Sequence, residues 1–145
     1  MNLYTIGFTQ KTAKQFFDLI KSNNIDIVVD IRLNTKSQLA GFSKGDDLEY
    51  FLSEICACKY VHCDEYAPTK ALLDDYKKKR TTWDEYVAIY IPLIKKRNGV
   101  TKFIEQFGKY TNVCLLCSEA TPTQCHRRLF AEMVQEVISA TIKHI

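Results

Sequence analysis

The segment from Cys117 to Arg127 holds the densest set of reactive side chains in the sequence. It reads Cys-Ser-Glu-Ala-Thr-Pro-Thr-Gln-Cys-His-Arg, with two thiols, a carboxylate, an imidazole and a guanidinium. A thiol becomes a better nucleophile when nearby positive charge lowers its pKa. We therefore predict a thiol-dependent reaction in which Cys117 or Cys125 is the reactive thiol. Carboxylate and imidazole groups can transfer protons, so Glu119 and His126 are the expected acid and base.

The same segment predicts a binding site for an anion. Thr121 is a favourable N-cap, Pro122 suits the first helical position and Gln124 would complete a capping box, so a helix is expected to begin at Pro122. The free N–H groups and the dipole of a helix N-terminus favour negative charge. Arg127 would add charge-assisted hydrogen bonds, and the expected ligand is a phosphate- or sulfate-like group.

A second cluster, Asp30-Ile31-Arg32, lies in an apolar stretch. A buried aspartate is costly unless it is paired or hydrogen-bonded. One interpretation is an internal salt bridge that fixes the end of a strand. The other is that Asp30 orients Arg32 toward a ligand, with Ser37 in the following loop as a further donor. The sequence leaves both interpretations open.

Structural explanations for the thiol segment also stay open. Glu119 and Arg127 would make a simple ion pair, and buried cysteines often serve as small core residues. The loop lacks the glycines and the arginine spacing of cysteine phosphatases. In Cys114-x-x-Cys117, alternation along a strand sends the two thiols to opposite faces. Cys117, Cys125 and His126 lack a clear fourth zinc ligand, so no metal ligand and no cofactor are assigned. A Cys/His metal-binding protein without catalysis and a nucleic-acid-associated binding module stay open as alternatives to the enzyme.

Apolar periodicity defines the elements that must position these groups. Strands are predicted over residues 3–6, 25–31, 59–62, 112–117 and 141–145, and helices over 12–21, 47–56, 82–97, 100–107 and from 122 onward. Residues 66–81 are expected to form an exposed excursion or a marginal helix, and Pro92 to kink or break its helix. The alternation predicts an α/β fold with a mostly parallel central sheet of about five strands and helices on both faces.

Ligands of open α/β sheets bind beyond the carboxyl ends of the strands. The predicted strands end near Gly7, Arg32, His62, Cys117 and His144. Guanidinium, imidazole and thiol groups are therefore expected to converge on one edge of the sheet.

Composition narrows the class of protein. A length of 145 residues suits a single domain, and 46% hydrophobic and 26% charged residues are typical of globular chains. The apolar runs are too short to span a bilayer, and no signal peptide is evident. We therefore expect a cytoplasmic protein with no membrane partner, whose six cysteines are mostly reduced.

The net charge of +3 does not require a polyanionic partner. Two basic runs, 77–80 and 95–97, either contact nucleic-acid phosphates or form solvated helix faces. The partners left open are an anionic small molecule and a nucleic-acid phosphate. The oligomeric state stays undetermined.

Several motifs occur in the order found in the domain-of-unknown-function family 488, which the chain resembles. They are Tyr4-Thr5-Ile6-Gly7, Val29-Asp30-Ile31-Arg32, Ser37, Phe42-Ser43, Tyr60-Val61-His62, Leu115-Leu116-Cys117-Ser118-Glu119 and Cys125-His126-Arg127. The resemblance runs from Leu3 to the last two residues. It implies one compact α/β domain with a site at the edge of the sheet, and it supplies no established reaction.

The sequence departs from the family pattern at three places. Phe8-Thr9 stands where the family usually has His-Ser, and Thr35 replaces a common proline. The Leu-Gly-Gly that follows the third strand is missing. These differences imply an altered substrate loop and leave no histidine at the end of the first strand.

Overall fold

The computed structural model describes residues 1–36 and 40–145, so Ser37 lies outside the described residues. Within these ranges the chain forms five strands: β1 (Asn2–Gly7), β2 (Ile27–Asp30), β3 (Lys59–His62), β4 (Asn112–Cys117) and β5 (Thr141–His144). All pair in parallel, in the order β3-β2-β4-β1-β5. The predicted α/β class with a parallel sheet of five strands is confirmed.

Six α-helices connect the strands in the described part of the chain. They are α1 (Ala13–Ser22), α2 (Gly45–Cys56), α3 (Lys70–Lys77), α4 (Trp83–Lys96), α5 (Gly99–Phe107) and α6 (His126–Ile138). None of these helices has the length and apolar character that crossing a bilayer requires.

Local signals explain where several helices begin. Thr12 and Gln15 form a capping box at the start of α1, and Thr82 and Glu85 form one at the start of α4. Thr69 caps α3, so the segment 66–81, which was expected to be an exposed excursion or a marginal helix, contains a helix of 8 residues. Pro92 was expected to kink or break α4. The break is not found, because α4 continues through Pro92, which lies on the exposed side of the helix.

The two faces of the sheet bury separate apolar clusters. One cluster joins Val28, Cys114 and Leu116 to side chains of α1 and α2. The other joins Val29 and Leu115 to side chains of α3, α4, α5 and α6. Helices therefore cover both faces, as predicted. Because successive side chains of β4 alternate, Cys114 and Cys117 lie on opposite faces, which confirms the argument against a Cys-x-x-Cys chelate.

The predicted helix start at Pro122 is wrong. Residues 118–125 form an irregular loop, and α6 begins four residues later, at His126, with Cys125 as its N-cap. Gln124 does not complete a capping box, because its Oε1 accepts a hydrogen bond from the Tyr76 hydroxyl at 2.8 Å. Long-range contacts thus outweigh the local N-cap signal, and the free N–H groups of the helix lie beside Cys125 instead of Thr121.

Candidate functional site

A pocket of about 560 Å³ opens at the carboxyl ends of β2 and β4. One side is formed by Arg32, Cys117, Cys125 and His126, and the other by the end of α3, the connection that follows it and the first turn of α4. This is the edge at which open α/β sheets bind ligands. The fold therefore brings Arg32 and the thiol segment to one cavity.

Cys117, Cys125 and His126 form a compact group, which we call the sulfur–imidazole cluster. One sulfur or nitrogen atom from each lies within 4.8 Å of those from the other two, and all three side chains are buried. The Cys117 Sγ lies 3.7 Å from Nδ1 of His126. Cys117 ends β4, whereas Cys125 and His126 open α6, so the loop between them folds back to close the cluster.

The main chain of β2 orients the His126 ring. The Nε2 atom of His126 lies 2.8 Å from the carbonyl oxygen of Ile31. A carbonyl oxygen only accepts hydrogen bonds, so Nε2 is the protonated nitrogen. In the neutral ring Nδ1 then carries no proton and is the nitrogen that can accept one. The Cys117 sulfur lies 3.7 Å from Nδ1 and 3.8 Å from Nε2, so it contacts the ring near both nitrogens.

The two thiols of the cluster have opposite pKa shifts. Interaction with the Cys125 thiol lowers the pKa of Cys117, with help from the N–H groups of Ser118 and Glu119 and the charge of Arg127, against the opposing effect of burial. The same interaction with Cys117, together with burial, raises the pKa of Cys125. The two directions favour Cys117 as the thiol of the pair that loses its proton first.

Arg127 lies behind this cluster and is 1% exposed. Its Nη1 donates to the carbonyl oxygen of Glu119 and lies 3.8 Å from the Cys125 sulfur, while its Nε donates to Thr5 Oγ1 at 3.4 Å. Arg127 is not among the residues that line the pocket. The guanidinium holds the loop through the main chain of Glu119 and not through an ion pair with its carboxylate.

Close packing at Gly7 supports the same loop. A Cβ atom at Gly7 would lie 1.7 Å from the Glu119 carbonyl oxygen and 2.8 Å from Nη1 of Arg127. Both distances are far below van der Waals contact. Only glycine therefore allows β1 to run under the loop and its arginine.

A buried network closes the end of β2. Arg32 donates from Nε to Asp30 Oδ1 at 2.9 Å and from Nη2 to Asp30 Oδ2 at 2.6 Å. Nη2 also reaches the Ser43 carbonyl oxygen at 2.7 Å, and the Tyr60 hydroxyl donates to Asp30 Oδ2 at 2.7 Å. Asp30 is fully buried and Arg32 is 3% exposed. The predicted pairing of Asp30 with Arg32 is present, and we call these two residues with Tyr60 the Asp30 network.

One nitrogen of Arg32 is left over. Nη1 is buried and has no hydrogen-bond partner among the residues that the structure describes, and Arg32 lines the pocket. The Phe8 ring lies 5.1 Å from the guanidinium carbon, a cation–π contact. Phe8, which replaces the histidine usual in the family, thus supports Arg32. The carbonyl oxygen of Thr35, at another of the three departures, accepts a main-chain hydrogen bond from Gly45.

The remaining candidates are more peripheral. Glu119 is exposed and lies at the mouth of the pocket. His62 contacts the Arg32 carbonyl oxygen through Nε2 at 2.7 Å. His144 bonds Thr5 through Nδ1 at 2.6 Å, and burial and the charge of Arg127 lower its pKa. Neither histidine lines the pocket.

The two basic runs have different positions. Lys77, Lys79 and Arg80, here called the basic rim, lie at the mouth of the pocket with exposed side chains. Arg97, from the second run, donates to the carbonyl oxygens of Glu65 and Ala67 at 2.9 and 2.7 Å. The second run therefore has a structural role at Arg97.

A soft metal ion would find three ligands in the sulfur–imidazole cluster. Two thiolates and one imidazole are typical of zinc sites that leave a fourth position open. The bond from His126 to the Ile31 carbonyl is the kind of outer contact that orients a metal-binding imidazole. The residues present thus fit such an ion, with the pocket on the open side.

The residues that sequence reasoning missed are mostly aromatic. Tyr76, Trp83 and Tyr86, here called the aromatic wall, line the pocket, and Tyr60 completes the Asp30 network. The interleaving of Tyr76 and Trp83 with the basic run was a usable signal. Tyr60 carries no such signal, because its role depends on the pairing of β2 with β3.

The fold and the site together define a class: a parallel α/β domain with a buried thiol and imidazole at the carboxyl edge of its sheet. A family model described as domain of unknown function DUF488 matches residues 12–134. The chain belongs to this family. The matched range contains the Asp30 network and the sulfur–imidazole cluster and leaves out β1 and β5. Neither the curated proteins nor the solved structures provided a match.

Proposed function

We propose that this protein is a thiol-dependent enzyme that acts on a substrate with a phosphate- or sulfate-like anionic group. The observation that carries the proposal is the position of the Cys117 sulfur, 3.7 Å from Nδ1 of His126, in the lining of a pocket with a basic rim. Of the two thiols that the sequence left open, Cys117 is the nucleophile.

His126 is the general base for the Cys117 thiol and then the general acid for the leaving group. Its Nε2 is committed to the Ile31 carbonyl oxygen, so Nδ1 takes the proton from Cys117. The resulting thiolate forms a bond to an electrophilic atom of the substrate. The leaving group departs with the electrons of the broken bond and receives the proton from His126. Water then cleaves the covalent intermediate and restores the thiol.

Arg32 binds the anionic group. Its Nη1 is buried, faces no other partner in the described ranges and belongs to the lining of the pocket. Asp30 fixes the guanidinium through its other two nitrogens. The donor is therefore held in place before the substrate arrives, which lowers the entropic cost of binding.

Arg127 and Glu119 have supporting roles. Arg127 is a positioning residue, because it holds the Glu119 carbonyl oxygen and the Cys125 sulfur. It also contributes to the lowered pKa of Cys117. The Glu119 carboxylate, exposed at the mouth of the pocket, is placed to exchange protons with water when the intermediate is hydrolysed.

Alkylation of the native protein with iodoacetamide, located by peptide mass spectrometry, tests the proposal. At neutral pH Cys117 should be modified faster than the other five cysteines and faster than free glutathione. The variant Cys117→Ser should remove the fast site, and His126→Gln should slow it while keeping an N–H for Ile31. The matched control is Cys63→Ser, a buried cysteine whose pKa burial raises to about 12. If no cysteine exceeds glutathione, Cys117 is not an activated nucleophile.

Binding of a soft metal ion is the second candidate function. It is favoured by the three ligand atoms of Cys117, Cys125 and His126, which lie within 4.8 Å of one another. It predicts about one zinc ion per chain in protein purified without chelator, measured by elemental analysis. Both Cys125→Ser and His126→Gln should lower that content. Metal-free wild-type protein with a reactive Cys117 would reject this candidate and support the enzyme.

A further inference from the structure

We infer that the substrate's anionic group is attached to an aromatic ring, and that the aromatic wall binds this ring. The inference rests on the proposed function, since it names the class of compound that the same pocket accepts. It goes further because it assigns a binding role to Tyr76, Trp83 and Tyr86, which take no part in the thiol chemistry.

The aromatic wall is a continuous surface. The centroids of Trp83 and Tyr86 are 5.1 Å apart with their planes at 15°, and Tyr76 lies 5.8 Å from Trp83 and 5.1 Å from Tyr86. Tyr76 and Trp83 are only half-buried although both line the cavity. Trp83 stacks on Tyr86, which is 2% exposed, and the Arg128 guanidinium carbon lies 5.9 Å from the Trp83 ring centroid. The contact area left for a ligand is therefore the exposed part of the Tyr76 and Trp83 rings. A ligand ring can meet them edge to face or by offset stacking.

The basic rim lies directly beside these rings. Lys77 and Lys79 have no ion-pair partner in the part of the chain that the structure describes, and Arg80 has an exposed pairing with Asp75 at 3.6 Å. Tyr76 precedes the rim in sequence and Trp83 follows it. Aromatic rings therefore flank the cations at one mouth, which fits a ligand that combines a ring with negative charge.

The opposite side of the pocket supplies the second anchor. Arg32 is 3% exposed, and its Nη1 is unpartnered within the described residues. A buried donor without a partner is costly, so a ligand oxygen bound there removes that cost. A ligand of one ring and one anionic group also fits the size of the cavity, about 560 Å³.

Trp83 provides a direct reporter, because it is the only tryptophan in the chain and it lines the pocket. The experiment titrates the full chain with phenyl phosphate, inorganic phosphate and phenol while tryptophan fluorescence is recorded. The variant Cys117→Ser is titrated in parallel, so that binding is measured without any covalent step. Phenyl phosphate should bind about ten- to a hundredfold more tightly than inorganic phosphate, as expected for burial of one ring. Phenol should bind weakly.

Tyrosine variants provide the control. Tyr76→Leu removes the ring together with the hydroxyl that donates to Gln124, whereas Tyr76→Phe removes the hydroxyl alone. Relative to Tyr76→Phe, Tyr76→Leu should lower the preference for phenyl phosphate over phosphate at least threefold. Tyr50→Leu, at a tyrosine that is 62% exposed and outside the pocket, should leave the preference unchanged. Equal binding of phenyl phosphate and phosphate overturns the aromatic contact, and equal binding of phenol overturns the need for an anion.

Failure of the proposed function is distinguishable from failure of this inference. If Cys117→Ser binds phenyl phosphate selectively while the wild-type thiol is unreactive, the binding assignment holds and the nucleophile is rejected. If the thiol is reactive and the selectivity is absent, the enzyme proposal holds and the substrate class is rejected.

Discussion

The Asp30 network and the sulfur–imidazole cluster contribute to the same pocket but differ in the kind of contact that holds their side chains. In the Asp30 network the side-chain hydrogen bonds to Asp30 are 2.6–2.9 Å long, and each carboxylate oxygen of Asp30 has a donor. In the sulfur–imidazole cluster the distances from the Cys117 sulfur to the ring nitrogens are 3.7 and 3.8 Å. Short charge-assisted bonds fix the geometry of the first group, whereas the contacts of the Cys117 sulfur with the His126 ring include no such bond. In the enzyme that we propose, the end of β2 is therefore the rigid anchor, and the end of β4 with the start of α6 provides the reactive groups.

The largest loss in the free energy of unfolding is expected when the Asp30 network loses its carboxylate. Asp30→Ala leaves the Arg32 charge buried without its carboxylate, and loss of one partner of a buried pair typically costs about 3–5 kcal/mol. The free energy of unfolding from urea titration measures this loss. Asp18→Ala, which removes a carboxylate from the exposed pair with Lys14, should change that value very little. Similar values for both variants would mean that the Asp30 network is not an anchor.

A smaller loss in the free energy of unfolding is expected from Gly7 of β1, which packs against the loop formed by residues 118–125. Gly7→Ala places a Cβ against the Glu119 carbonyl oxygen, and overpacking of this kind costs about 1–3 kcal/mol. The displaced loop should also slow alkylation of Cys117. The matched control is Gly41→Ala, because a Cβ at Gly41 meets no atom of residues 1–36 or 40–145 within 4 Å. A Gly7→Ala variant with normal thiol reactivity would show that the loop adapts without disturbing the cluster.

The smallest effect on folding, but a clear effect on pH dependence, is expected from Cys125→Ala. The Cys125 thiol is the main cause of the lowered pKa of Cys117, and burial opposes it. Alkylation needs the thiolate, so the wild-type rate should rise with pH through a midpoint below the ordinary thiol value of 9.0. Removing Cys125 should move that midpoint upward and lower the rate near neutral pH. Rates at Cys117 over a range of pH measure the shift, and an unchanged midpoint would assign the activation to His126 or Arg127.

Much of the architecture could be predicted because apolar periodicity is a local property. β3 and β4 have the predicted bounds, and α1, α2, α4 and α5 begin within two residues of the expected positions. The start of α6 could not be predicted in the same way. Thr121 and Pro122 carry a strong local signal, but Tyr76 and Arg127 hold the loop in another conformation. Such contacts join residues that are distant in sequence, and periodicity does not report them.

The sequence could predict which residues come together at the candidate site, but not which role each of them has there. The convergence of Arg32, Cys117 and His126 follows from the position of parallel strand ends, and all three line the pocket. Arg127 was expected to bind the anion. In the structure it is buried, donates to the Glu119 carbonyl oxygen and to Thr5, and is not among the residues that line the pocket, so its binding of an anion stays a prediction. The sequence left Cys117 and Cys125 open, and our proposal of Cys117 depends on contacts between residues of β4 and α6 that periodicity does not report. Ser37 stays a prediction, because it lies outside the described residues.

The strand order has a consequence for how the chain acquires its structure. β4 lies between β2 and β1, so residues 112–117 must arrive before the amino-terminal strand can join the sheet. During synthesis only the β2–β3 pair is available until the last third of the chain has emerged. Pairings between such distant segments carry a high loop-closure cost and slow folding. The strand that delivers Cys117 is thus also the one that completes the sheet, and nascent chains without it expose apolar edges that invite aggregation.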